Sequence, residues 1–214
     1  MRSAVALSAV TGIPIEITRI RENRNKPGLG YQHCAAVRAA AYACRGRMEG
    51  NEPGSSRLSF VPDSIRNAEC SVDVGTAGSI PLVVQAWLPV ALAEGGVLEV
   101  HGGTEVPASP TVDYLEKVLI PALGSVGEGI TVTVIRRGYY PAGGGLVRVR
   151  VEPADPTPLS IQKGGATGIR SCSSGLPPHV AERQASHALQ LLGRTLGQDI
   201  LVEIQRSSGL GKGS

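Results

Sequence analysis

The chain has 214 residues, 42% of them hydrophobic, and a formal net charge of +3, which fits a globular protein of one or two domains with a sizeable core and excludes a disordered chain. Aromatic residues make up only 3%, with one Trp and one Phe, so the interior has to be built from Ala, Val, Leu and Ile, as where helices pack closely on sheets. So mild a charge cannot by itself attract a nucleic acid, no apolar stretch reaches the ~18 residues of a membrane span, and the N-terminus lacks a cleavable leader pattern, so the protein is expected inside the cell, in the cytoplasm or, in a eukaryote, also the nucleus.

Periodicity predicts a helix over Ser3 to Thr11, ended by Gly12, and a strand over Ile13 to Ile20, where Ile13, Ile15 and Ile17 alternate with Pro14, Glu16 and Thr18. A basic loop leads to an Ala-rich helix from Gly30 to Arg45, then to short strands at Arg47 to Glu49 and Arg57 to Val61. A second series follows: a strand at Cys70 to Val74, a helix from Ser79 to Ala93 that Pro89 should kink or end, a strand at Val97 to His101, a helix from Val112 to Leu123, and strands at Ile130 to Arg136 and Leu146 to Val151. A strand at Thr167 to Ser171, a helix at Pro178 to Leu196 and a strand at Ile200 to Gln205 open a third series.

The order repeats at an interval of roughly 75 residues, longer than a solenoid period. It predicts an α/β (α+β) fold of repeated βαβαββ modules, two nearly complete and a third interrupted. The first module, 1–65, lacks its opening strand; the second covers 66–155; 156–214 begin a third. A third module that stops after one strand–helix–strand unit would leave open sheet edges, so the chain is expected to be truncated at both ends.

Cys34, Cys44, Cys70 and Cys172 form no CxxC pair and have no partnering His run, which argues for reduced, mostly buried thiols over a zinc site. Three consecutive glycines in Arg137-Gly138-Tyr139-Tyr140-Pro141-Ala142-Gly143-Gly144-Gly145 have two readings. One is a Gly-rich hairpin. The other is a backbone that something must approach closely, with Tyr139 and Tyr140 as stacking faces and Arg137 as a fixed charge. Arg19, Arg21, Arg24 and Lys26 fall within eight residues opposed only by Glu22, which is either a solvated charged face or a phosphate grip. Gln85, among Leu82, Val83, Val84, Ala86 and Trp87, is either a buried amide that needs a partner or a residue on the helix's wet face. The terminal Ser208-Gly209-Leu210-Gly211-Lys212-Gly213-Ser214 lacks the spacing of a phosphate-binding loop.

Taken in order, Arg2-Ser3, the run from Ile20 to Leu29, Gln32-His33, Gly75 to Ser79, Leu82 to Gln85, His101 to Thr104, Arg137 to Gly145, and Gly175-Leu176-Pro177 before Ala181-Glu182-Arg183 resemble the RNA 3'-terminal phosphate cyclases and their non-cyclising relatives in ribosome assembly. The resemblance implies three βαβαββ modules with a small domain inserted in the third. It also implies an ATP-dependent conversion of an RNA 3'-phosphate end to a 2',3'-cyclic phosphate, through AMP carried on a histidine and then on the RNA, with a divalent metal, Mg or Mn, neutralising charge. It assigns Arg2, Arg21, Arg24, Lys26 and His33 to phosphate or RNA and Gln85 to ATP, and it assigns no metal ligand. The nucleophilic histidine of the resemblance belongs to a segment beyond Ser214, so no catalytic residue is assigned and the chain alone is expected to adenylate little. His101, His179 and His187 have no counterpart in it and are read as surface or packing residues. The other reading is a non-catalytic cyclase-like RNA-binding protein in ribosomal RNA processing.

Overall fold

The structure is a computed structural model and describes residues 1–155, 168–196 and 200–214. It opens with α1 (Arg2–Thr11), β1 (Ile15–Ile17), α2 (Tyr31–Cys44), β2 (Arg47–Glu49) and β3 (Leu58–Val61). Next come β4 (Ala68–Asp73), α3 (Ile80–Glu94) and β5 (Gly96–Gly102). A helical run over 112–122 contains α4 (Val112–Tyr114), a π turn (Leu115–Leu119) and α5 (Ile120–Ala122), and α6 (Ser125–Glu128) leads into β6 (Ile130–Arg136) and β7 (Gly145–Val151). The last described elements are β8 (Gly168–Ser174), α7 (His179–Leu196) and β9 (Leu201–Ser207). Helices and mixed sheets together make this an α/β fold.

Strands pair in the order β1-β3-β2 in one sheet and β4-β5-β7-β6 in another, and β8 pairs with β9. The parallel pairs β4·β5 and β8·β9 are each joined by a helix, α3 and α7, as parallel strands require. All other pairs are antiparallel.

The core lies where α2 and α3 meet beneath the sheets. On α2 the residues Ala35, Ala36, Ala39, Ala40, Ala41 and Ala43 are buried, with Val37, Cys34 and Cys44. Side chains this small bring α3 close, and its Val83, Val84, Trp87 and Val90 fill the seam. All four cysteines are free thiols; Cys34 and Cys44 are buried, while Cys70 and Cys172 are half-buried.

The structure refines three expectations. The first strand spans only Ile15–Ile17, because Arg19 and Arg21 take positive φ (52° and 57°) and break the extended backbone. Pro89 does not end α3, which runs on to Glu94. Proline leaves the carbonyl four residues earlier without its donor, and that residue, Gln85, lies on the half-exposed stripe with Leu82 and Pro89. The helix predicted over Val112 to Leu123 forms but changes register: Pro121 has no N–H to give, and just before it Ile120 donates to the Leu115 carbonyl. Thr167, expected to open β8, lies outside the described residues.

The Gly run joins β6 to β7 as a hairpin, and what approaches its backbone closely is the chain itself. A Cβ on Gly138 would stand 2.2 Å from the Gly145 nitrogen and 2.6 Å from the Gly102 oxygen, and one on Gly143 would stand 2.9 Å from the Ala77 Cα. Gly138→Ala should therefore destabilise by about 3 kcal/mol, since only backbone could yield. Gly193→Ala, in α7 with open space around it, should stabilise by about 0.5–1 kcal/mol. Urea midpoints of the two variants should shift in opposite directions.

Candidate functional site

The basic loop is pinched at its base. Ile20 N–H donates to the Ser56 oxygen, Gly28 N–H to the Ile20 oxygen at 2.8 Å, and Leu29 N–H to the Ser55 oxygen, while Ile20 and Leu29 are buried as apolar anchors. Gly28, at φ +80°, passes so near the Gly54 carbonyl that a Cβ would stand 2.2 Å from its oxygen. With base and anchors fixed, the residues between are held outward as a compact excursion containing two turns, Glu22 N–H to the Arg19 oxygen and Arg24 N–H to the Arg21 oxygen.

The excursion ends at the N-terminus of α2. Gly30 is the N-cap, and its N–H donates to His33 Nδ1 at 2.9 Å, the reciprocal half of a capping box. A ring that accepts at Nδ1 is neutral and carries its proton on Nε2. Burial, then the charges of Arg21 and Arg2, hold the His33 pKa below its ordinary 6.5. Arg21 donates to the Gly28 oxygen at 2.9 Å, which sets its guanidinium beside Gly30. Arg2 arrives from the first turn of α1; burial lowers its pKa, and it stays charged at neutral pH. The carboxamide of Gln32 accepts from Ser79 N–H at 2.7 Å and so ties the start of α2 to the start of α3.

Of the predicted residues, then, Arg2, Arg21 and His33 converge around one helix N-terminus, where the His33 N–H turns back to the Gly30 oxygen and the Tyr31 and Gln32 N–H groups precede the intrahelical ladder. Arg24 lies one turn from Arg21 and, like Lys26, is exposed on the same loop. Gln85 sits half-exposed in the second turn of α3, beyond the Ser79 junction. Gln32 and Gly28 also build the site, although the resemblance, whose segments include them, gives them no role; the three-residue interval between Gly30 and His33 is a usable capping signal.

A second cluster corrects the expectation for Arg137. Read from the sequence as an available charge, its side chain is only 8% exposed and meets Asp113 at 2.6 Å, Glu105 at 2.5 Å and the Gln205 carboxamide at 2.8 Å. The register shift between Val134 and Arg136 turns the strand just before it and sends this guanidinium inward. Asp113 also accepts from Arg170, which pairs with Glu203. Burial raises the Asp113 pKa, but the Arg137 and Arg170 hydrogen bonds outweigh it and hold the carboxylate below its usual range. For Glu105 burial wins and its pKa is raised. Tyr139 is buried and offers no stacking face, whereas Tyr140 is 59% exposed. Above the cluster opens a cleft of about 700 Å³ lined by Glu105, Tyr140, Arg170, Cys172 and Gln184. Burial pushes the Cys172 thiol to about 11, so it is protonated at neutral pH.

No three His, Cys, Asp or Glu side chains among the described residues are grouped to hold a metal ion. No described helix is long and apolar enough to cross a membrane.

Two measurements check these electrostatics. The His33 ring should titrate below 6.5 by NMR. Because the folded state then binds fewer protons than the unfolded one, its contribution to stability is complete above pH 6.5 and is lost as pH falls through the lower folded value. His33→Asn, which keeps a cap acceptor, should flatten that part of the stability profile. Arg137→Met should cost about 3–5 kcal/mol in denaturant unfolding, because Asp113 and Glu105 would keep buried charge without its partner.

A sequence model of the family described as RNA 3'-terminal phosphate cyclase matches residues 1–203. The chain is 40% identical over its full length to the RNA 3'-terminal phosphate cyclase of Methanococcoides burtonii, covering 65% of that protein. It is 44% identical to the one from Methanopyrus kandleri, covering 64% of it, again over all of this chain. With the one from Nitrosospira multiformis it shares 44% identity over 88% of this chain and 55% of that protein. The chain thus spans about 65% of the length of the first two relatives, and it belongs to the RNA 3'-terminal phosphate cyclase family.

Proposed function

We propose that the chain carries the phosphate-end recognition part of an ATP-dependent RNA 3'-terminal phosphate cyclase. The observation that supports this best is the convergence of Arg2, Arg21 and His33 on the open N-terminus of α2. Each component suits a terminal phosphate. Two guanidinium forks grip non-bridging oxygens bidentately, the first-turn N–H groups donate along the helix dipole, and neutral His33 offers its Nε2–H. Arg24 and Lys26, on the same excursion, extend the grip toward the approaching RNA, and Gln85 contacts the nucleotide of ATP. No catalytic nucleophile is assigned to the described residues.

The cyclising reaction activates the 3'-phosphate with AMP, and the neighbouring 2'-hydroxyl then closes the ring as AMP leaves. In both transfers negative charge gathers on oxygens that these guanidiniums would hold, so their role is to bind, orient and offset charge. A divalent Mg or Mn ion belongs to the chemistry that the family resemblance implies. Among the described residues no three His, Cys, Asp or Glu side chains are grouped to hold such an ion, and no step is derived through it.

Binding of short RNAs that differ only in the terminal group tests the reading. Arg21→Ala and Arg24→Ala should each weaken a 3'-phosphorylated RNA by about tenfold or more, the scale of one charged hydrogen bond, and a 3'-hydroxyl RNA much less. Equal losses for both ends would count against a terminal-phosphate site. Gln85→Ala should weaken ATP and leave RNA unchanged. Retention of RNA without any ATP binding by the unaltered chain would favour the non-catalytic RNA-binding reading.

A further inference from the structure

A second cationic surface lies on α2 away from the phosphate-end site. The buried alanine face leaves one outward stripe, Tyr31, Arg38, Tyr42 and Arg45, spaced at i, i+7, i+11 and i+14 and so aligned on one side of the helix. Tyr31 is 56% and Tyr42 47% exposed. At the C-terminal end of the stripe a groove of about 280 Å³ is lined by Arg38, Tyr42, Arg45, Met48 and Arg66.

Three features separate this groove from an ordinary solvated charge run. First, its guanidiniums are held without being neutralised. Arg38 donates to the backbone oxygen of Asp73 at 2.7 Å and Arg66 to the backbone oxygen of Tyr42 at 3.4 Å. The Asp73 carboxylate turns instead to the Gly75 N–H, and among the described residues no carboxylate pairs with Arg38, Arg45 or Arg66. Second, Arg45 occupies a left-handed helix cap at φ 49°, a position that favours glycine. A long cation there carries backbone strain that a glycine would not. Third, the cations alternate with aromatic faces, the pairing that grips single-stranded nucleic acid through phosphates and stacked bases without reading its sequence.

Resting on the RNA reading above, we infer that the outward stripe of α2 and its groove bind the single-stranded RNA body upstream of the 3' end, with Tyr42 as a stacking platform and Arg38, Arg45 and Arg66 on the phosphates. The stripe rises from the phosphate-end site at the N-terminus of α2 to the groove at its C-terminus, ~21 Å, about the length of six stacked nucleotides at roughly 3.4 Å each. An RNA that seats its terminal phosphate at one end has the reach to lie along the other.

The test uses this chain with 3'-phosphorylated oligouridylates of about three and about twelve nucleotides, read by fluorescence anisotropy at roughly 50 and 200 mM salt. The longer RNA should bind about tenfold or more tighter, and the triple variant Arg38→Gln/Arg45→Gln/Arg66→Gln should remove that gain while leaving the short RNA unchanged. The salt slope for the long RNA should fall by about 2, at roughly 0.7 for each phosphate that is no longer neutralised. Tyr42→Leu alone should weaken the long RNA about fivefold at an unchanged salt slope, and it keeps the test open should the triple variant unfold. A length gain that survives these substitutions would overturn the assignment, as would polyglutamate competing as well as polyuridylate, which would mark an acidic protein partner. Preference for a 3'-phosphate over a 3'-hydroxyl on the short RNA reports the other end of α2 alone. Its absence with the length gain intact would sink the phosphate-end reading and leave the groove standing.

Discussion

The burial of α2 along its alanine face is the constraint on which the anion-binding surface depends. Because Ala35, Ala39 and Ala43 leave no room for bulk, the helix sits hard against α3, and only one narrow stripe and the two ends stay open. The Gln32–Ser79 hydrogen bond then fixes the axial position, so the start of α2 meets the start of α3 and cannot slide. A larger residue on that face would lever the helix outward, and Arg2, reaching across from α1, would lose its place beside His33. Packing in the interior thus sets distances between charges at the surface, and the link runs through residues that carry no charge.

The arginines divide into two groups by what they meet. Arg137 and Arg170 spend their donors on Asp113, Glu105 and Glu203 and hold the 112–122 helical run to β8 and β9. Their charge is offset, and its value lies in registering elements far apart in sequence, since buried ion pairs contribute little net stability while leaving a large penalty if broken. Arg21, Arg38 and Arg66 hydrogen-bond to backbone carbonyls instead. A carbonyl orients a guanidinium yet leaves its full charge, which is what a site for an anion needs. The same residue type therefore reports structure or binding according to its acceptor.

That distinction explains what can be read from the amino-acid order. Element types and their succession are legible where a period is sustained, as in α2, α3, β5 and β7, because apolar spacing is a local property. Boundaries are not legible where a backbone angle or a proline intervenes: Arg19 and Arg21 shorten the first strand, and α3 runs on past Pro89 to Glu94. Arg21 and His33 are marked by their neighbours in the chain, and they do come together. Arg137 reads wrongly because its acceptors, Asp113 and Gln205, are 24 and 68 residues away, and no local pattern announces them. The groove of Arg38, Arg45 and Arg66 is hidden for a like reason: Arg66 joins it only through the fold.

The neutral state of His33 bears on which phosphates the site prefers. With its Nδ1 occupied by the Gly30 N–H, the ring adds a donor but no charge, so the fixed countercharge at the α2 N-terminus comes from Arg2 and Arg21. A terminal phosphomonoester bears about −1.5 to −2 at neutral pH, as phosphorylated side chains do, whereas a phosphodiester bears a single charge. Two guanidiniums match the former and over-compensate the latter. Protonating His33 would break its capping bond and add a third positive charge, improving attraction for any phosphate while eroding the distinction between an end and a linkage. Under the proposed function, burial and flanking arginines that keep this imidazole uncharged thus favour discrimination over raw affinity.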